Sequence, residues 1–238
     1  MTMRIALRAL AALLAYPTAE LHAALPEIVD ALAADAALAP ALPGLLALAD
    51  HVEQADLLDT QEEYVGLFDR TRSLCLNLFE HVHGDSRERG PAMVELLGIY
   101  AAAGLEPVTG ELPDHLPLLL EHAAVAPEAG LALLANAGPV IDLLHGRLAQ
   151  RQSPWAAVLH ATLLAAGHAP TTIAQPEPDP TPEALDKEWE ETAVIFGPGA
   201  DPAAECGPEV MAARLRAARR APNPTPRRPV LRYTQAGA

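Results

Sequence analysis

Cysteine is scarce in this chain of 238 residues, and Cys75 and Cys206 are the only two present. Two thiols far apart in sequence cannot supply a disulfide framework, so we expect reduced thiols and a cytoplasmic setting. Long apolar runs are also missing, since no uninterrupted stretch of about 18 hydrophobic residues occurs, and no membrane-spanning helix is predicted. β-branched residues are sparse while alanine and leucine are abundant, which favours helix over strand throughout the chain.

Positive charge is scarce as well, with 16 basic residues against 31 acids and a formal net charge of −15. Residues 1–213 hold nine basic residues and all 31 acids, a net charge of −22, whereas residues 214–238 carry +7. An acidic body repels nucleic acid and anionic lipid and attracts cationic peptides. We therefore expect no nucleic-acid partner and no stable membrane insertion, and a nucleic-acid module based on the arginine-rich tail is the weakest alternative.

Helical periodicity, interrupted by glycine and proline, extends over residues 2–166. It predicts about nine helices and no hairpin. Near the N-terminus, helical spacing is shown by Leu7, Leu10, Leu13 and Leu14, which favours an ordinary first helix over a weak signal peptide.

The predicted fold class is all-α, with a single helical-bundle domain over residues 1–167. Prolines become frequent after this domain, and they predict a linker with one short helix over residues 168–200. Residues 201–238 are basic and rich in small residues and proline, and we expect them to form a disordered tail.

Helix boundaries and buried faces are also predicted from local patterns. Ser153 is expected to cap a helix that has Pro154 at its first position, and Pro113 to open a helix over residues 112–124. Gly104 is expected to end the preceding helix. The one-sided apolar stripes are Leu57, Gln61, Tyr64, Val65 and Phe68; Met93, Leu96, Leu97 and Tyr100; and, on one longer helix, Leu131, Leu134, Ile141, Leu144 and Leu148.

Two polar clusters lie between the apolar segments, the first at residues 68–87 and the second at residues 112–117. Their side chains could form a metal site, a general acid/base set or a polar docking surface. Helix capping and buried hydrogen bonding are the simpler interpretation; Asp114, for example, would favour the positive end of the helix opened by Pro113. A helical metal-dependent hydrolase is the alternative, and it would use His81, His83, Asp85, Asp114 and His115 as ligands.

The metal alternative lacks specific support, because the cysteine pairs and i, i+4 histidines that are typical of metal sites are missing. Nucleophilic catalysis has little support either. Ser73 and Ser86 lack a Gly-x-Ser-x-Gly motif, and Cys75 lies in an apolar helical pattern typical of a core thiol. We therefore predict no catalytic residue, no bound metal and no cofactor.

The two clusters carry a resemblance to a known family. The chain resembles the NarJ family of respiratory nitrate reductase assembly chaperones, within the wider TorD/DmsD group of redox-enzyme maturation proteins. The similarity is dense over residues 62–121, and Asp85 and Pro91 depart from the family pattern, where Glu and Gln are expected. It is carried by residues 64–70 (YVGLFDR), 78–93 (LFEHVHGDSRERGPAM) and 111–117 (ELPDHLP).

The resemblance implies a cytoplasmic, all-helical chaperone that is not an enzyme. Such a protein binds the N-terminal segment of the catalytic alpha subunit of nitrate reductase. It holds the apoenzyme until the molybdenum cofactor and iron–sulfur centres are in place, and it restrains early docking to the membrane. Proteins that deliver the molybdenum cofactor are possible further partners.

On this resemblance, a basic amphipathic helix of the client would lie in a groove between helices, with its cations facing acids on the rim. Arg70, Arg87 and Arg89 are expected to pair with acids of the clusters or to meet the client's acids. Because histidine ionises near neutral pH, client affinity is expected to respond to pH. The predicted client-binding residues are Tyr64 and Phe68 on the floor; Asp69, Glu80, Asp85, Asp114 and Glu121 on the rim; and His81, His83 and His115.

Overall fold

A computed structural model of the chain describes residues 2–84, 86–108, 110–171 and 231–233. This part of the chain contains ten α-helices, two single-turn 3-10 helices (Ala36–Leu38 and Arg72–Leu74) and two three-residue strands, β1 (Leu105–Pro107) and β2 (Leu231–Tyr233). The prediction of an all-α helical bundle is confirmed. The helices are α1 (Thr2–Leu13), α2 (Ala19–Ala33), α3 (Leu42–Gln54), α4 (Leu57–Phe68), α5 (Leu78–His83), α6 (Arg89–Ala102), α7 (Leu116–Val125), α8 (Pro127–Asn136), α9 (Gly138–Gln150) and α10 (Ala156–Ala165).

Helix α1 lies at the centre of the bundle, where it packs against α2, α7 and α10. Leu7 and Leu10 are fully buried, and Leu13 and four alanines fill the remaining inward positions. A helix that is apolar around most of its circumference is stable only when other helices surround it, and α7 is buried in the same way. The predicted first helix is therefore confirmed as a core element.

Arg4 joins the two most buried helices. Its guanidinium donates hydrogen bonds from α1 to the carbonyl oxygens of Ala124 (2.7 Å) and Val125 (3.1 Å) at the end of α7. These carbonyls have no partner within their own helix, and a cation there also complements the negative end of the helix dipole. The start of the chain thus fixes the end of α7.

Helix α4 presents two aromatic side chains to the core. Asp56 caps its start by accepting a hydrogen bond from the backbone N–H of Leu58 (2.9 Å). The predicted apolar stripe is found here, and Tyr64 and Phe68 are its most buried members. The stripe of α6 is confirmed only in part, because Leu97 is 40% exposed while Leu96 and Tyr100 are buried.

The predicted long helix around residues 131–148 is two helices, α8 and α9, which meet at an angle of 62°. Pro139 lies in the first turn of α9. Its ring would clash with the carbonyl of the fourth preceding residue and it has no N–H, so it favours a break at this point, although α2 continues through Pro26. Within the described residues no single helix is long and apolar enough to cross a membrane; α8 and α9 meet that test only as a bent pair.

Two predicted helix starts are also wrong. Helix α7 begins at Leu116, four residues later than expected, with Pro117 rather than Pro113 in its first turn. Ser153 does not cap α10 through its side chain, since its buried hydroxyl has no partner within the described part of the chain. Instead its carbonyl oxygen accepts the N–H of Ala156 (3.1 Å), so a tight backbone turn leads into the helix.

The C-terminal region contributes one described element. Strand β2 pairs antiparallel with β1, which follows Gly104, and Leu105 lies opposite Tyr233. Gly104 has a φ of 71°, a left-handed conformation that ends α6 as predicted. These three residues were expected to belong to a disordered tail. The predicted short helix of the linker and the rest of the tail lie outside the described residues, so the division into three segments stays a prediction.

Gly130 marks the closest approach of α7 and α8. A Cβ atom built on Gly130 would lie 2.7 Å from the Cβ of Ala123, closer than two carbon atoms can pack. We expect Gly130→Ala to force the helices apart and to lower the free energy of unfolding by about 1–3 kcal/mol. Urea denaturation followed by circular dichroism measures this change.

The control is the same substitution at Gly98, in the middle of α6, where a Cβ would meet no atom within 4 Å. Because alanine favours helix over glycine, Gly98→Ala is expected to stabilise the protein by up to about 1 kcal/mol. Equal effects of the two substitutions would show that the α7–α8 contact is not tight.

Candidate functional site

The two polar clusters are joined by backbone hydrogen bonds. The N–H of Leu78 donates to the carbonyl oxygen of Asp114 (3.1 Å), and the N–H of Leu116 donates to that of Leu76 (2.9 Å). Between them, Asn77 and His115 form an antiparallel bridge. The segment before α5 and the segment before α7 therefore form a single junction, although they are far apart in sequence.

Asp114 is the buried centre of this junction. Its Oδ2 atom accepts a hydrogen bond from the backbone N–H of Phe79 (2.8 Å), so it caps α5, which lies 35 residues earlier in the chain. Burial raises the pKa of Asp114, and the hydrogen bond from Phe79 and the nearby charge of Arg89 partly oppose that shift. Asp114 is fully buried, so its predicted position on an open rim is wrong.

His115 is held uncharged beside the junction. Its Nδ1 lies 3.2 Å from Oδ1 of Asn77, and burial lowers the pKa of the imidazole to about 4. The expectation that His115 titrates near neutrality is therefore wrong, because the charged ring would lose its hydration in this position.

Glu80 is engaged in internal pairs. Its carboxylate lies 3.5 Å from Nη2 of Arg89 and 3.7 Å from Nε of Arg72. It also accepts a weak hydrogen bond from the thiol of Cys75 (3.8 Å). The predicted pairing of Arg89 with an acid of the clusters is found, but Glu80 is consequently not an open rim acid.

Cys75 is not a core thiol on a helix as predicted. It is half-buried, directly after the 3-10 helix Arg72–Leu74, and its side chain lines a cleft. Burial raises the pKa of the thiol to about 11, so it stays protonated at neutral pH.

The remaining predicted residues are dispersed. His81 Nε2 lies 2.8 Å from the carbonyl oxygen of Cys75, and the ring of His83 packs edge-on against Phe79, with 5.5 Å between ring centroids. Glu121 is half-buried on α7 and does not line the cleft. Asp85 lies outside the described residues.

The ligand set of the hydrolase alternative is not assembled. His81, Asp114 and His115 each have a hydrogen-bond partner elsewhere in the protein. In the described ranges, which leave out Asp85, no group of three or more His, Cys, Asp or Glu side chains is placed to hold a metal ion.

A cleft opens between the end of α4 and the junction, and it encloses about 60 Å³. Tyr64 and Phe68 form an aromatic wall, their ring centroids 4.9 Å apart. The hydroxyl of Tyr64 donates to the carbonyl oxygen of Leu14 (2.9 Å), which anchors that wall to the end of α1. The lining residues are Tyr64, Phe68, Asp69, Cys75, Leu76, Asn77, Glu111 and His115.

Two carboxylates face this cleft. Asp69 was predicted as a rim acid, whereas Glu111 was not selected, although it begins the second motif three residues before Asp114. Desolvation raises the pKa of both groups, and the charge of Asp69 raises that of Glu111 further. Both groups are affected even though each residue as a whole is exposed, because the cleft wall removes part of the water from their carboxylates.

The fold and this cleft define an all-helical protein with a candidate binding site that combines an aromatic wall with two acids. Of the ten predicted site residues, the structure brings Tyr64, Phe68, Asp69 and His115 to the cleft. It adds Cys75, Leu76, Asn77 and Glu111, which come from the two segments of the junction.

Comparison with known proteins gives the family. Residues 18–161 match the family model "Nitrate reductase delta subunit". The nitrate reductase molybdenum cofactor assembly chaperone NarJ of Escherichia coli K12 is 42% identical over 192 residues, which cover 77% of this chain and 81% of that protein. The "Probable nitrate reductase molybdenum cofactor assembly chaperone NarW" of the same strain is 44% identical over 161 residues, or 65% of this chain and 70% of that protein. A crystallised candidate redox enzyme maturation protein from Archaeoglobus fulgidus aligns at a TM-score of 0.44 and 21% identity, over 67% of this chain and 91% of that chain.

The chain belongs to the nitrate reductase delta subunit family, which contains nitrate reductase molybdenum cofactor assembly chaperones. The resemblance carried by the two polar clusters is thereby confirmed. The family is one of maturation chaperones and not of catalytic enzymes.

The cap on α5 can be tested at Asp114. Asp114→Asn keeps an oxygen acceptor for the N–H of Phe79 and removes a buried charge, so we expect a change in the free energy of unfolding below about 1 kcal/mol. Asp114→Ala leaves that N–H without a partner and is expected to lose about 1–3 kcal/mol. Urea denaturation at pH 7 compares the two variants, and equal losses would contradict the capping role.

The neutral state of His115 predicts a pH dependence of stability. Because its pKa is about 4 in the folded protein and 6.5 ordinarily, the unfolded chain binds the proton first as the pH falls. At about 1.4 kcal/mol per pKa unit, this group is expected to remove up to about 3 kcal/mol of stability between those two pH values. His115→Asn lacks this titration, so its free energy of unfolding should fall less over the same interval. Parallel curves for the two proteins would show that His115 is not held neutral.

Proposed function

We propose that this protein binds the N-terminal segment of the catalytic alpha subunit of a respiratory nitrate reductase in the cytoplasm. It holds the apo subunit until the molybdenum cofactor has been inserted, and only then does the subunit dock at the membrane. The observation that carries the proposal is the cleft, which takes five of its eight lining residues from the family motifs and combines aromatic with acidic side chains.

The size of the cleft favours a peptide over a small molecule. Small-molecule sites usually enclose roughly 300–1,000 Å³ and bury most of the ligand. The cleft encloses only about 60 Å³, far below that range, which suits one side chain of a segment lying across its mouth. Aromatic side chains are well suited to this task, because they bury a large area and lose little conformational freedom on binding.

The charge of the chain supports a basic partner. Residues 1–171 contain 21 acids and eight arginines, a net charge of −13. A field of this sign accelerates association with a cationic segment and slows the approach of nucleic acid.

Proteins that deliver the molybdenum cofactor are proposed as further partners, since insertion requires them to reach a subunit already held by the chaperone.

The proposal is tested with a synthetic peptide of the N-terminal residues of the alpha subunit from the same organism. Isothermal titration calorimetry is expected to show one-to-one binding with a Kd in the micromolar range or below, about −8 kcal/mol. Cys75→Phe fills the cleft from its wall and should weaken binding at least tenfold, because the cleft can then no longer accept the client's side chain.

Val82→Phe is the matched control, since Val82 is 60% exposed on α5 and does not line the cleft. Thermal melts establish that both variants are folded. In cells, Cys75→Phe but not Val82→Phe should leave the alpha subunit deficient in molybdenum. Absence of any binding by the unmodified protein, or equal binding by both variants, would contradict the proposal.

A further inference from the structure

The acids of the two polar clusters differ in what they contact. Asp114 caps α5, and Glu80 lies between Arg72 and Arg89. Asp69 and Glu111 face the cleft, and neither carboxylate makes a hydrogen bond or ion pair within the part of the chain that the structure describes. The fold thus gives some acids a partner inside the protein and leaves the carboxylates of Asp69 and Glu111 facing the cleft.

The open pair is unfavourable in the free protein. Both carboxylates are partly desolvated, and the negative charge of Asp69 acts on Glu111 across the cleft. Two like charges in such a position destabilise the folded state, and a cation placed between them would relieve both the repulsion and the lost hydration. Groups that are unfavourable in the fold itself are concentrated at functional sites.

The surroundings of the pair specify the shape of that cation. Tyr64 and Phe68 offer an apolar surface beside the acids, which suits the aliphatic stem of a long side chain. His115 is uncharged at neutral pH, so it does not repel a cation. The space is too small for a folded domain and is open on one side, which suits a single side chain entering from a bound segment.

We infer that Asp69 and Glu111 together bind one lysine or arginine side chain of the client segment, whose stem packs on Tyr64 and Phe68. This inference rests on the proposed function and adds the chemical identity of the residue that the cleft selects. The pair is a specificity determinant, because a segment with an apolar or acidic side chain at that position would leave two desolvated carboxylates without a partner.

A double-mutant cycle tests the pair directly. The probes are the alpha-subunit N-terminal peptide and versions in which each lysine or arginine in turn is replaced by glutamine. Asp69→Asn and Glu111→Gln keep the size of each side chain and remove its charge, and each is expected to weaken binding of the unmodified peptide about tenfold in calorimetry. For one substituted peptide, and only for that peptide, the same protein variants should change affinity less than about twofold, because the interaction has already been removed.

Asp50→Asn and Glu95→Gln are the matched controls. Both residues are exposed, on α3 and α6, and neither lines the cleft. Each control removes one negative charge from the same acidic body, so it reports the long-range contribution alone. At a physiological ionic strength we expect less than about a twofold effect, since exposed charges are screened beyond roughly 8 Å.

The outcomes separate the two claims. If the unmodified protein binds the peptide but Asp69→Asn and Glu111→Gln bind it equally well, the inference is overturned and the proposed function stands. The inference is also overturned if no single peptide cation couples to the pair. If the unmodified protein binds no peptide, both claims fail. Misfolding does not confuse the result, because removing one of two like charges should leave the thermal midpoint of each variant unchanged or higher.

Discussion

The junction side of the cleft depends on one hydrogen bond, donated by the N–H of Phe79 to the buried carboxylate of Asp114. Helix α5 has only six residues, too few to be stable without outside contacts, so its start must be fixed by another part of the protein. Asp114 provides that contact, and the backbone bridge between Asn77 and His115 continues it. Asn77 and His115 line one side of the cleft, and that side is formed because the junction is closed.

The same junction determines which acids of the two polar clusters are paired within the protein and which face the cleft. Glu80 is placed between Arg72 and Arg89, so its charge is compensated within the protein. Asp69 and Glu111 lie at the open edge of the junction, where the fold removes water from them without supplying a cation. An assembly chaperone must bind a segment and later release it. Acids that are exposed to a partner but unused by the fold are suited to such a reversible contact.

The helices could be predicted because helical periodicity is a local property. The apolar residues of each helix repeat along one face of that helix. Packing buries them as expected, as seen for Leu7 and Leu10 on α1 and for Tyr64 and Phe68 on α4. The break between α8 and α9 was missed because Leu134 and Ile141 satisfy the same periodicity whether or not the axis bends between them. The bend is caused by Pro139, whose effect depends on backbone geometry and not on hydropathy.

The sequence by itself determined the all-helical fold, the buried first helix and the family, because propensity, periodicity and linear motifs are contained in short stretches of chain. It also predicted as binding residues Tyr64, Phe68, Asp69 and His115, which the structure brings to the cleft. Only the tertiary structure decided which polar side chains face the cleft. Asp114 and Glu111 are three residues apart and equally acidic, yet one is buried against α5 and the other lines the cleft. That difference arises from a backbone N–H contributed by a segment 35 residues away, and no local pattern contains it.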